Sequence, residues 1–273
     1  MTAFFTVENG RYTATQMAVS AWSDAQLAGT AVCGLLAHRL ETHNPGPGFV
    51  PARFTVDLFS PVRSEPIEVH SSIARDGRRI RVADASIVQD GQVRARATVN
   101  FLAAAAEPPG QLWRPDRGEL PIPDEPLDGP YGNPPLFKSG DLDWTHDFAS
   151  GVNALRKAAW HNVPAIVSGL EPTPFERAAF VADCANLVCN WGTGGVGYIN
   201  SDVTLSLSRL PEGRELGLLA QDHVSAAGIG IATALLYDRT GPLGLCTITA
   251  LANAMRQVDM AEFAASRSIP TGS

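Results

Sequence analysis

Along the first hundred residues the period of apolar and polar positions changes twice. From Leu27 to His43 the run LAGTAVCGLLAHRLETH carries small apolar residues around most of its circumference, the pattern of a buried helix. Ser23, with Gln26 three residues on, reads as a capping box at its start, and Asn44-Pro45-Gly46 as its stop. Alternation takes over in RFTVDLFSPV, RIRVADASIVQDG and VRARATVNFLA, which predict strands. The same order then returns. Thr173 with Glu176 forms a second capping box, Pro174 takes the first helical position, and FERAAFVADCANLVCNW reads as a second buried helix. DVTLSLSRLP, GIGIATALLYDRTG and LGLCTITALAN follow as strands in the order of the first three.

The landmarks recur at a fixed spacing. Thr173 lies 150 residues after Ser23, Thr204 lies 149 after Thr55, and Gly241 lies 150 after Gly91. A constant offset at separate landmarks is the mark of an internal repeat. Between the repeats, AAAAEPPGQLWRPDRGELPIPDEPLDGPYGNPP is crowded with proline and has neither period, which predicts a surface crossover. The expected organisation is therefore an N-terminal unit at 1–103, a linker at 104–141 and a C-terminal unit at 142–273. One buried helix followed by long antiparallel strands predicts an α+β unit whose sheet wraps its helix. Two such units side by side would join their sheets and cover each other's edges, the arrangement called a double hotdog.

Composition narrows the function classes. With 45% hydrophobic residues the chain can build a full core, and a formal charge of -7 argues against a nucleic-acid partner. No stretch of about 18 apolar residues is present to suggest a membrane span. The opening MTAFFTVENGRY lacks the basic stretch and apolar run of a secretory signal, so the cytoplasm is the expected compartment. Cys33, Cys184, Cys189 and Cys246 lie in apolar runs without CxxC spacing and read as free thiols.

The chemistry concentrates at Asp183. From Ala178 to Trp191 it is the only charged residue in 14, set on a helix whose other positions are apolar or amide. A carboxylate is costly to bury, so one kept there needs a partner or a purpose. The corresponding position in the first unit is Cys33, so only the second unit supplies an acid. Pairing Asp183 with an arginine, or using it to cap a loop, is the purely structural alternative. The six histidines have no metal-ligand spacing, no GxSxG elbow is present, and no dinucleotide or Walker pattern follows a strand.

AWSDAQLAGTAVCGLLAHRLE, RFTVDLFSPV and RDGRRIRV with its QDG hairpin resemble the first half of the acyl-CoA thioesterase II family, particularly its actinobacterial thioesterase-like branch. AAWHNVPAIVSGLEPTPFERAAFVADCANLV, INSDVTLSLSR and AAGIGIATALLYDRTGPLG resemble its second half. The resemblance implies a double hotdog that hydrolyses acyl-CoA thioesters without metal or redox cofactor, and that assembles further as a homo-oligomer. It implies that Asp183 orients the attacking water. Counting back from Arg209 puts Asn200 where the family has a hydroxyl or small polar residue beside that water. Counting forward from Gly241 puts Thr249 where the family has a glutamine, with Thr247 on the same strand face. Gly228 with Gly230, and Arg79 within the Arg78, Arg79, Arg81 run, are the candidate substrate contacts. The threonine in place of glutamine keeps open a protein that binds acyl-CoA without cleaving it. A hydratase of the same fold would want a histidine shortly after Asp183-Cys184-Ala185-Asn186, and none follows.

Overall fold

The computed structural model describes residues 2–127, 134–253 and 257–258. In chain order the first half contains β1 (Ala3–Glu8), β2 (Arg11–Ala14), α1 (Gly29–Glu41), β3 (Phe49–Leu58), β4 (Glu68–Asp76), β5 (Ile80–Gln89) and β6 (Gln92–Ala103). The second half begins with β7 (Leu136–Ser139), β8 (Lys157–Asn162), β9 (Ala165–Val167), α2 (Pro174–Asp183) and α3 (Ala185–Asn190). Its remaining strands are β10 (Trp191–Gly192), β11 (Gly195–Val196), β12 (Tyr198–Asn200), β13 (Asp202–Leu207), β14 (Glu215–Ala226), β15 (Ile229–Asp238) and β16 (Gly241–Ala252).

Ten of these strands run in the order β4-β5-β6-β3-β13-β16-β15-β14-β8-β7, with β12 added alongside β16. The order β4-β5-β6-β3 is repeated in reverse as β13-β16-β15-β14, so the halves meet at the β3–β13 pair as two-fold relatives. Thr55 faces Thr204 in that junction, which is the spacing of 149 seen along the chain. β1 pairs with β2 and, in parallel, with β9 of the other half, so the N-terminus ties the two units together.

Strand alternation separates two faces. The inner face buries Phe54, Val56, Ala83, Ala85, Val99 and Phe101 from the first half, and Val203, Leu205, Ala232, Ala234, Ile248 and Ala250 from the second. α1 and α2 pack on this face and on each other. Gly34 of α1 accepts Ile166 so closely that a Cβ there would lie 2.7 Å from Cδ1. Phe175 meets Phe54 edge-on with centroids 5.4 Å apart, which fixes α2 over the junction strand.

The second capping box forms as the sequence predicts: Thr173 accepts from the Glu176 amide while Glu176 accepts from the Thr173 amide. The first does not. Ser23 and Gln26 close a local turn, the Leu27 amide donates to Val62, and α1 begins at Gly29 with no side-chain cap. The second helix is also shorter than its apolar run. The Cys184 amide bonds to Val181, an i→i+3 contact that tightens the turn, and the helix restarts as α3.

The linker ends sooner than 141, because Leu136–Ser139 pair with β8 as an edge strand of the main sheet. Residues 128–133 of the linker, and 254–256 and 259–273 of the C-terminal unit, lie outside the described residues. The described part of the crossover is strapped to the outer face. Tyr237 donates to the Pro121 carbonyl, Arg239 donates to Pro123 and Glu125, and Leu120, Ile122 and Leu127 pack on Trp160 and Tyr237.

Candidate active site

Asp183 is the last residue of α2 and is 8% exposed. Asn200 ends β12, which the ladder places beside Ala250 of β16, on the inner face. From there the Asn200 amide nitrogen donates to Asp183 Oδ1 at 2.8 Å. Its own amide oxygen makes no protein hydrogen bond among the described residues. The whole carboxylate lies against the start of α1: a Cβ on Gly29 would fall 2.5 Å from Oδ2 and 2.8 Å from Oδ1. Glycine at this position is what lets a carboxylate and a helix start occupy the same space.

Burial pushes the Asp183 carboxyl up to about 6, against the opposing pull of the Asn200 hydrogen bond. The group is thus ionised at neutral pH yet basic enough to accept a proton, the condition sought in a general base. The opening turn of α1 adds a second feature. Its first amide N–H groups have no intrahelical acceptors, and Ala28 at the cap offers no side-chain oxygen. That turn, the positive end of the helix, lies against the Asp183 carboxylate at Gly29.

The other sequence candidates lie apart from this pair. Thr247 and Thr249 alternate with Cys246, Ile248 and Ala250, which are buried on the inner face, so both threonine side chains stand on the outer face. Thr247 belongs to an in-register row, Thr98–Thr55–Thr204–Thr247–Thr233, that crosses five strands. Such cross-strand pairs stabilise a sheet and give Thr247 a structural place. Thr249 meets its neighbours through its backbone, donating to Asp202 and accepting from Ser201. Both threonine side chains are thus separated from Asp183 by the sheet.

Gly228 is a turn residue, not a strand residue. With φ of 50° at Ala227 and 79° at Gly228, it closes the β14–β15 hairpin, where positive φ demands glycine. Gly230 is the close-approach position, since a Cβ there would lie 3.1 Å from the Tyr198 ring. Arg79 sits exposed in the β4–β5 turn and its carbonyl accepts from Ala103. That is the end of the sheet opposite Asn200, because Ala103 pairs with Phe49 whereas Asp202 pairs with Asp57. The structure therefore unites Asp183 and Asn200 and separates Thr249, Thr247, Gly228 and Arg79 from them.

Gly29 was not identified from sequence; its only signal was a glycine at the start of a buried helix. Cys33 and Cys246 are buried, Cys184 and Cys189 half-buried, and all four are free thiols. Among the described residues no group of three or more His, Cys, Asp or Glu is placed to hold a metal ion. No helix among them is long and apolar enough to cross a membrane.

Comparison with known proteins matches residues 18–102 to the acyl-CoA thioesterase N-terminal domain and residues 117–252 to the acyl-CoA thioesterase C-terminal domain. Among curated proteins no sequence matches. Solved structures give the fold. A hot dog fold protein from Alicyclobacillus acidocaldarius superposes with a TM-score of 0.64 at 16% identity, over 92% of this chain and 96% of that one. The tesB protein of Mycobacterium avium subspecies paratuberculosis gives 0.63 at 17%, over 90% and 94%. The acyl-CoA thioesterase II TesB2 of Mycobacterium marinum gives 0.60 at 14%, over 90% and 94%. Two domain matches that together span most of the sequence, on a two-fold hotdog sheet, place this chain in the acyl-CoA thioesterase family.

Proposed function

We propose that the protein hydrolyses acyl-CoA thioesters with a water held by Asp183 and Asn200. The observation that carries this reading is a buried carboxylate set between an amide and a helix start. Asn200 donates to Oδ1 at 2.8 Å, and both carboxylate oxygens lie against the opening turn of α1 at Gly29. A water accepted by Asp183 Oδ2 and by the Asn200 amide oxygen has a lone pair left for attack. Asp183 takes its proton as the C–O bond forms, and the α1 amides receive the charge developing on the thioester oxygen. Collapse of the tetrahedral intermediate breaks the C–S bond, and the proton on Asp183 goes to the departing thiolate.

Thiol release from a panel of acyl-CoAs tests this on wild type and Asp183→Asn. Loss of a general base lowers the rate by about a hundredfold or more, and equal rates in the two proteins would remove Asp183 from the mechanism. A second reading is favoured by one observation. The inner face of β16 beside Asn200 presents Ile248 and Ala250, both apolar, so the last strand contributes no polar side chain there. A protein of this kind could hold an acyl thioester without turning it over. Saturable acyl-CoA binding with no thiol release from any ester would decide for that alternative.

A further inference from the structure

β14 changes from an inner strand to an edge strand along its length. Glu215–Leu219 pair with β8, whereas Asp222–Ala226 pair with β15 alone among the described residues. An open groove of about 470 Å³, walled in part by Arg156, Lys157, Ala220 and His223, lies along this step. The β14–β15 turn decides which backbone groups face the open side. Ala227 and Gly228 both have positive φ, which marks the two-residue turn whose closing pair, Ala226 and Ile229, is hydrogen-bonded. Bonding alternates along an antiparallel pair, so Asp222, Val224 and Ala226 bond to β15, and the N–H and C=O groups of His223 and Ser225 point outward. The His223 amide agrees, since it donates to Asp222 Oδ1 at 2.8 Å.

Free strand edges invite pairing, and proteins blunt them with charge or cover them. β4, the counterpart of β14 at the other end of the repeat, is treated in this way. Tyr12 exchanges backbone hydrogen bonds with Ile67 just before it, Arg11 pairs with Glu68, and the strand ends on Arg75 and Asp76. The free stretch of β14 reads Asp-His-Val-Ser-Ala, with one charge, and its outer face is aliphatic. Val224 is 63% exposed and its cross-strand neighbour Ile231 is 50% exposed, with Ile229 and Leu251 exposed beside them.

We propose that this edge pairs with the same edge of a second copy, antiparallel across a two-fold axis at Val224. His223 then meets the partner's Ser225, and Ser225 meets the partner's His223. Each of these pairs exchanges two backbone hydrogen bonds, so all the outward N–H and C=O groups are used. The two Val224 side chains meet on the outer face at the close, non-hydrogen-bonded position, each beside its own Ile231. Asp222 falls opposite the partner's Ala226, so like charges do not meet. The segment is thus its own complement, which an isologous contact requires. The chain already joins its halves by such a seam, five residue pairs between β3 and β13. The second copy continues the sheet by a seam of the same length. Five residues a side bury less than the roughly 800 Å² per partner of a standard interface, so the dimer forms reversibly at micromolar concentration.

Sedimentation velocity of the full chain from about 1 to about 500 µM tests the seam, and wild type should pass from monomer to dimer across that range. Ser225→Pro deletes an N–H that faces solvent in the monomer, so the fold should be kept while dimer dissociation rises at least about tenfold. Val224→Glu and Val224→Lys each set like charges against themselves at the axis, so each alone should stay monomeric. Their equimolar mixture should dimerise, because the two charges then meet as an opposite pair. These two exposed substitutions keep the test decisive if Ser225→Pro fails to fold. Hydrogen exchange reports what covers the edge: the Ser225 amide should exchange quickly in the dilute monomer and slowly in the concentrated dimer. A wild type that stays monomeric, an association unchanged by all three variants, or a mixture that fails to dimerise would each overturn the proposal. Slow exchange of the Ser225 amide in the monomer would overturn it too, since the chain would then cover its own edge.

Discussion

Replacing Asp183 with asparagine should make the folded protein more stable at neutral pH while disabling it. The carboxyl is 8% exposed, and burial raises it from an ordinary value of 3.8 to about 6. Each pKa unit is worth about 1.4 kcal/mol, so holding the ionised form inside the protein costs about 3 kcal/mol at pH 8. The sign follows from proton counting. Between the two values the folded state holds the proton and the unfolded chain has released it, so stability from this group is complete below about pH 4. It is lost as pH rises to about 6. Asp183→Asn keeps an acceptor for the Asn200 amide and never ionises. Urea unfolding of both proteins at pH 4, 5, 6, 7 and 8 should therefore give curves that diverge with pH, the variant gaining up to about 3 kcal/mol and the gap flattening above pH 6. A gap that stays constant from pH 4 to 8 would refute the reasoning, since it would mean that the site does not hold its charge at a cost.

The same geometry makes further claims. Because the Asn200 hydrogen bond pulls the Asp183 carboxyl down, Asn200→Leu should move the acid limb of the pH–rate profile upward and depress thiol release more at pH 6 than at pH 8. An unmoved midpoint would detach Asn200 from the acid. Gly29→Ala drives a methyl into the carboxylate, so thiol release should fall by about a hundredfold, the scale set by misplacing a reacting group by an ångström. Full activity in that variant would contradict the contact between α1 and Asp183. Thr249→Val changes a side chain on the outer face, so it should leave thiol release at the wild-type rate and stability within about 0.5 kcal/mol. A large rate loss would put Thr249 back in the site. Arg209 makes two hydrogen bonds, at 2.7 and 2.8 Å, to the fully buried Asp238. Burial pushes that carboxyl up, but Arg209 and the groups of Glu212 and Thr240 outweigh it and hold it at about 2. Arg209→Met removes the cation and leaves only the Glu212 and Thr240 donors, and calorimetric or urea unfolding should record a loss of about 3 kcal/mol.

The repeat was legible because it is written in spacings that insertions in loops had not disturbed. Both helices, the three paired strands of each half and the two turn glycines followed from period and offset alone. What failed did so at points where a single residue changes the geometry. Pro242 pairs with Tyr237 and Gly244 with Leu236, so Leu243 is an extra residue in β16. One bulge exchanges the two faces of everything beyond it. β6 has the matching extra residue, Arg94, so the bulge belongs to the repeat. Gly241 opens β16 whereas Gly91 lies in the β5–β6 turn, and counting by 150 from these glycines is one residue out across the strands. The first capping box had the right residue types but was used by a turn, since Leu27 is bonded to Val62 from a distant loop and the helix cannot start until Gly29. β7 was hidden by its length, four residues beside a proline-rich crossover, with too few positions to display alternation. Asp183 stood out for the opposite reason: a lone charge in an apolar run needs no tertiary knowledge to be noticed.

The fold is two-fold but the chemistry is not, and two residues account for the difference. Position 183 carries an acid where its relative 33 carries a fully buried cysteine whose thiol burial raises well above the ordinary range. The residue that makes room for the acid is Gly29, and its relative by the same spacing of 150 is Ala179, fully buried with its methyl in place. An acid at position 33 would thus lack the space that Gly29 provides for Asp183, as well as an amide partner equivalent to Asn200. The apolar counterpart avoids the cost of a buried charge, which is what a core selected for stability alone would contain. One half of the molecule keeps that arrangement, and the other bears about 3 kcal/mol of charge burial to hold a carboxylate against a helix start. That asymmetry is the strongest physical argument that the ionised form of Asp183 has work to do.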